Sequence, residues 1–162
     1  MIILEKVEKQ DEFILQNLMQ FYIYEFSQYI PTIKLEANGL FAPYPLEEYW
    51  TNPNLHPFFI KKEDEFIGFA LVESGSTGEP SSIVEFFIGS KHKGKGYGKA
   101  AATKVFHMFP GNWEIIQIEK NYPAQAFWRG LIKNITNDHF TERYDDHHRS
   151  IQEFHTDSLT EG

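Results

Sequence analysis

The 162-residue chain contains no cysteine, which excludes a disulfide framework, a thiol nucleophile and thiolate ligation of a metal. No apolar run approaches the roughly 18 residues of a membrane-spanning helix. The opening MIILEKVEKQDE turns acidic too soon to read as a secretory leader. Basic residues are in short supply, with 15 Lys plus Arg against 23 Asp plus Glu and a net charge of −8. Such a surface repels phosphate backbones and anionic lipid, so neither nucleic acid nor membrane is an expected partner. Internal repeats and low-complexity segments are also missing. Phe, Tyr and Trp, in contrast, make up 16% of the chain and apolar residues 41%, a mixture that buries a core rather than staying disordered. These features point to a cytoplasmic protein with a single domain over residues 1–155 and a tail, 156–162, that frays.

Residues 2–7 alternate as a strand. Asp11 then opens a helical pattern, with Leu15, Leu18, Tyr22, Phe26 and Tyr29 on one face until Pro31 stops it. A proline-punctuated loop follows to Pro53, within which LEEYWT reads as a short helix. His56–Lys62 and Glu65–Glu73 form a hairpin around Glu63-Asp64, and 83–89 is a further strand. A glycine and lysine segment leads into a helix closed by Pro110-Gly111. Trp113–Ile118 is a strand, Pro123–Lys133 a helix, and 138–145 with 149–155 a last hairpin. This order implies an α+β, or mixed α/β, fold with a mostly antiparallel sheet of about seven strands and about four flanking helices.

The segment from Lys91 to Lys104, KHKGKGYGKAAATK, holds five lysines, one histidine and no acid. A solvated basic turn would explain the charge alone. Gly94, Gly96 and Gly98, however, alternate directly before a helix. Glycine lets backbone N–H groups converge on a ligand, and a helix N-terminus adds partial positive charge, so strand, glycine loop and helix make an anion cradle suited to phosphate. A Walker loop does not fit, because Gly94 and Gly98 are too close and Lys99 is followed by Ala100 instead of a hydroxyl residue. A dinucleotide fingerprint does not fit either, since the glycines run G-x-G-x-G.

Lys93-Gly94-Lys95-Gly96-Tyr97-Gly98 resembles the pyrophosphate loop of the GNAT superfamily, the acetyl-CoA-dependent N-acetyltransferases, whose pattern is Q/R-x-x-G-x-G/A. Lys93 keeps the charge of the usual Arg and loses its forked side chain. The resemblance extends to Asn121, Ala124, Phe127 and Trp128, which match the family's Asn, Ala and aromatic pair opening the fourth helix, and it covers the chain from Ile2 to about His155. It implies splayed strands at a cofactor cleft, with IVEFFI in the strand that pairs with the pantetheine arm. It also implies acetyl-CoA as co-substrate, with Phe86, Ile88, Lys93, Gly94, Lys95, Gly96, Tyr97, Gly98, Lys99, Asn121 and Phe127 at the cofactor. A homodimer is compatible with it.

The activity so implied is N-acetyl transfer to a primary amine of a small molecule or peptide by direct attack on the thioester. An acyl-CoA-binding sensor or a degenerate domain without turnover is the alternative. Transfer needs a base for the ammonium proton, a donor for the oxyanion and an acid for the sulfur. The family's oxyanion donor corresponds to the backbone N–H of Ile88. Its usual acid, a Tyr, is replaced by Trp128, which has no titratable proton and either walls the acetyl site or leaves the acid elsewhere, at Tyr122 or Tyr144. The base is assigned to Glu85, whose carboxylate in an apolar strand would titrate high. Simple alternation would instead point it to solvent or to a structural partner. Glu119 is the second choice. Tyr22, Tyr24, Glu25 and Tyr49 are the candidate acceptor residues, since aromatics plus acids suit a cationic amine, although Tyr22 also sits on the apolar stripe. Adjacent Asp145, Asp146, His147 and His148 point in different directions in a turn, so no metal site is expected.

Overall fold

The computed structural model describes residues 1–160 and contains seven strands and three α-helices. The strands are β1 (Ile2–Lys6), β2 (Leu55–Lys62), β3 (Glu65–Glu73), β4 (Ser82–Ile88), β5 (Asn112–Gln117), β6 (Thr141–Tyr144) and β7 (Ser150–His155). The helices are α1 (Glu12–Phe26), α2 (Tyr97–Met108) and α3 (Tyr122–Ile135). The short helix read in LEEYWT is a 3-10 turn, Glu47–Trp50. Helix α1 stops at Phe26, before Pro31, so Tyr29 lies beyond it in a chain of tight turns.

All neighbouring strands within the sheets run antiparallel. One sheet has the order β1-β2-β3-β4 and the other β5-β7-β6. The two meet at a parallel bridge between Ser81 and Trp113, where the Ser81 N–H donates to the Asn112 carbonyl (2.8 Å) and the Glu114 N–H to the Ser81 carbonyl (2.9 Å). Pairing goes no further along β4 and β5, which leaves an opening between them.

The first sheet separates two apolar layers. On one face Leu15 and Met19 of α1 pack with Leu46, Phe59, Phe69, Leu71 and Phe87. On the other, Ala101, Ala102, Val105 and Phe106 of α2 and Leu131 and Ile132 of α3 pack with Phe58, Ile60, Ala70, Trp113 and Phe154. Each large side chain removed from water here contributes roughly 1.5–3 kcal/mol. The loop between α1 and β2 has little regular structure of its own and is held by side-chain amides of α1. Gln16 donates to the Tyr44 carbonyl (2.7 Å) and accepts from its N–H (3.2 Å), and Gln20 does the same with Phe41 (3.0 and 2.9 Å). Two glutamines four residues apart lie on one helix face and so replace a strand edge for this loop.

The tail read as fraying is tied down through Thr160. The Thr156 N–H donates to Gly111 (2.9 Å), Leu159 packs on the core, and the Thr160 N–H donates to the Ile135 carbonyl (2.7 Å). Residues 161 and 162 lie outside the described residues. Among the described residues no helix is long and apolar enough to cross a membrane.

Candidate active site

A cavity of about 770 Å³ opens between the C-terminal half of β4, the N-terminus of α2, the N-terminus of α3 and the C-terminal end of α1. That volume is in the range of small-molecule and cofactor sites. Its position follows from the parting of β4 and β5, which uncovers backbone as well as side chains. The Gly89 N–H bonds to the Ile67 carbonyl (2.8 Å), so the next pair along, Gly68 with Ile88, is of the non-hydrogen-bonded kind. The N–H and C=O of Ile88 therefore point away from β3, into the space where β4 has no partner strand.

The loop after β4 carries the positive end of the site. Gly94 and Gly96 have φ of +77° and +82°, a left-handed backbone that side-chain-bearing residues rarely adopt. Gly96 caps α2, and the first N–H groups of that helix face the same cavity. Gly98 allows close packing instead, since a Cβ there would lie 3.1 Å from the Phe127 ring and the ring would have to give way. Phe127 in turn stacks on Phe86 (centroids 6.1 Å apart, 25°), and Trp128 meets Phe86 edge-on at 5.1 Å. Lys93 and Lys99 line the cavity, Lys99 donating to Asn134 (2.6 Å). Convergent N–H groups, a helix N-terminus and ammonium groups make a site for a polyanion, and the aromatic wall beside it suits an apolar chain.

Glu85 is placed by a bulge. Leu71 pairs with Glu85 but Val72 pairs with Ile83, so Val84 is an extra residue in β4. The insertion turns Glu85 onto the face of Phe87, toward α1, although Ile83 two residues earlier packs on the other side. There the half-buried carboxyl is largely removed from water, which pushes it up to about 7, and the neighbouring Tyr22 hydroxyl partly opposes the rise. Burial and the neighbouring carboxylate push Tyr22, Tyr44 and Tyr49 above the usual phenol range.

Of the residues read as cofactor-binding, Phe86, Ile88, Lys93, Gly94, Gly96, Tyr97, Gly98, Lys99, Asn121 and Phe127 all line the cavity. Lys95 does not; it faces a neighbouring surface hollow with Lys62 and Tyr97. Asn121 also has a structural duty, since its side chain caps α3 by accepting from the Ala124 N–H (3.1 Å). Trp128 is in the wall and only 7% exposed. Glu85 itself does not line the cavity, but its neighbour Tyr22 does. Glu25 lines it too. Tyr24 is 69% exposed and outside it, because it points away from the sheet, and Tyr49 packs against the apolar layer under α1, also outside it. Tyr122 and Tyr144 are 68% and 63% exposed and do not line it; nor does the exposed Glu119. Phe26, Gln28 and Tyr29 complete the α1 side; Phe26 escapes the sequence reading because the apolar stripe of α1 reads equally as core, and Gln28 because nothing in its local sequence marks it. The Asp145 to His148 run is a turn in which the Asp145 carboxylate accepts from the backbone of His147 and Arg149 and from the Arg149 side chain. Among the described residues no group of three or more His, Cys, Asp or Glu is placed to hold a metal ion.

Solved structures share this architecture at low sequence identity. An acetyltransferase from Thermus thermophilus matches with a TM-score of 0.67 and 17% identity, over 95% of this chain and 96% of that one. A spermidine N-acetyltransferase from Vibrio cholerae, solved with CoA and spermine, matches at 0.65 and 12% over 97% and 96%. A Bacillus anthracis str. Ames protein solved in complex with acetyl coenzyme A matches at 0.57 and 13% over 96% and 97%. At these identities the likeness concerns the fold. No curated protein sequence matches the chain. The sequence profile of the Acetyltransferase (GNAT) family, however, matches residues 16–131. That span takes in β4, the glycine loop, α2 and most of α3, the elements that build the cavity, and the chain belongs to the GNAT acetyltransferase family.

Proposed function

We propose that this protein transfers the acetyl group of acetyl-CoA to a primary amine of a small molecule or peptide, and that the amine is cationic. One observation carries the reading: a single cavity joins an anion cradle to Tyr22, a residue that neighbours the half-buried carboxyl of Glu85. When bound, acetyl-CoA supplies an acetyl group activated as a thioester. Lys93, Lys99 and the N–H groups at Gly96 to Gly98 would hold its diphosphate, and Phe86, Phe127 and Trp128 would flank its arm. The unpaired backbone N–H of Ile88 is suited to stabilise negative charge on an acyl oxygen. Tyr22 takes the proton of the attacking amine as it passes its own to Glu85, whose raised pKa matches that task at neutral pH. Trp128 excludes water from the acyl group and supplies no proton. A thiol ionises near pH 8.5 and leaves without a protein acid.

The test is a thermal melt with CoA, followed by an amine panel with a thiol-release readout. CoA binding only the folded chain should raise Tm. Gly98→Asp, whose side chain would press on Phe127 and set a carboxylate against the diphosphate, should abolish the rise while the protein still folds. A parent Tm unmoved by millimolar CoA would sink the reading. The alternative, an acyl-CoA sensor without turnover, draws its support from Trp128 and from the outward placement of Tyr122 and Tyr144. A Tm rise without thiol release from any amine would favour it.

A further inference from the structure

The C-terminal end of α1 is tied to the glycine loop across the cavity mouth. Lys93 Nζ lies 3.2 and 3.4 Å from the two carboxylate oxygens of Glu25, and Ser90 Oγ donates to the same carboxylate at 3.0 Å. Glu25 and Lys93 both line the cavity, so this contact belongs to the site and not to a remote surface. Both side chains keep part of their surface in water, which makes the ion pair weak and readily exchanged.

Lys93 also stands at the edge of the left-handed glycine loop, where a polyanion is held by fixed backbone N–H groups and the N-terminus of α2. One ammonium group therefore faces two anions. A diphosphate carries more charge than one carboxylate and is held on the loop side by groups that need no rearrangement, so it is the stronger partner. The Ser90 hydrogen bond is a second tether on Glu25, independent of Lys93, that holds the carboxylate at the wall. The aromatic rings of Tyr22, Phe26 and Tyr29 line the same side, and rings beside a carboxylate form a receptor for an ammonium group.

We propose that Glu25 and the diphosphate of the cofactor compete for Lys93, so that Glu25 becomes the counter-charge of a cationic acceptor once the diphosphate has drawn Lys93 away. Glu25 is then a specificity-determining residue. The preferred acceptor carries a second positive charge besides the reacting amine, as a diamine does. The inference rests on the acetyl-CoA reading above.

Calorimetric titration of CoA into the parent, Glu25→Gln, Lys93→Met and the double variant tests it. Glu25→Gln should tighten CoA about two- to fivefold at low salt, the worth of a part-exposed ion pair. The gain should vanish in the Lys93→Met background and at about 0.5 M salt, where such charges are screened. In steady state Glu25→Gln should raise KM for 1,4-diaminobutane and leave that for butylamine unchanged. Unchanged or weaker CoA binding by Glu25→Gln would overturn the competition and leave the acetyl-CoA reading standing. An equal gain in the Lys93→Met background would also overturn it, because the effect would then be simple removal of a negative charge. Equal KM changes for both amines would overturn the role in acceptor choice. A parent that binds no CoA removes the reading itself and the proposal with it.

Discussion

In regular alternation Glu85 would share a face with Ile83, among the apolar side chains under α2 and α3. The extra residue at Val84 sends it instead to Tyr22. The carboxyl then lies outside the cavity lining while its neighbour Tyr22 is part of it, and in the proposed reaction its proton passes through the tyrosine hydroxyl. Glu85→Gln keeps the shape and removes the basic oxygen; Tyr22→Phe keeps the oxygen and breaks the connection. Each is expected to lose about tenfold or more in kcat/KM near pH 7, and the double variant no more than the worse single one, because the two act as a unit. The parent profile should rise through about pH 7 as Glu85 ionises. Steady-state rates across pH 6–9 decide it: additive losses, or a parent-like pH profile in Glu85→Gln, would take the pair out of the mechanism.

At the scale of elements, the cavity and the layer behind it depend on two departures from regular secondary structure. One is the parting of β4 and β5 after the bridge at Ser81, which frees the Ile88 backbone. The other is the long loop after α1, which packs Tyr44 and Tyr49 against the apolar layer on the α1 side of the sheet and is held by Gln16 and Gln20. Each glutamine satisfies both polar groups of one loop residue, so its loss leaves a half-buried N–H and C=O to find other partners at a cost of about 1–3 kcal/mol. Gln16→Ala and Gln20→Ala should lower Tm and speed amide exchange in residues 40–50 while leaving the exchange of α2 and α3 unaltered. Uniform destabilisation of all elements would mean that the loop has no separate anchorage. The glutamines escape a reading based on apolar periodicity because they occupy polar positions of an amphipathic helix, where a solvated side chain is the ordinary case.

For the whole molecule, a carboxyl raised from 4.5 to about 7 makes folding sensitive to pH. Between those values the folded chain holds a proton that the unfolded chain has released, so stability falls as pH rises through the window. The contribution is present in full below about pH 4.5 and gone above about pH 7, and it amounts to at most about 3 kcal/mol. Glu85→Gln carries no such charge and should gain on the parent as pH rises from 5 to 8, by several degrees in Tm; a constant gap across that range would show that Glu85 is not the titrating group. The balance between sequence and structure follows from the range of the forces. Element order, the hairpin at Glu63-Asp64 and the basic glycine loop before α2 are local: each depends on φ preferences, periodicity or contacts within a few residues, and each is legible in the chain as written. Lys95, Tyr24 and Tyr49 belong to the right segments, yet the direction of a side chain depends on how its segment packs. The turn of Glu85 toward Tyr22, the grip of Gln16 and Gln20 on the loop, and the Glu25 to Lys93 contact join residues far apart in the chain. Tertiary structure alone decided them, because a bulge or a long-range hydrogen bond is chosen by the neighbour it meets, and that neighbour leaves no mark in the local sequence.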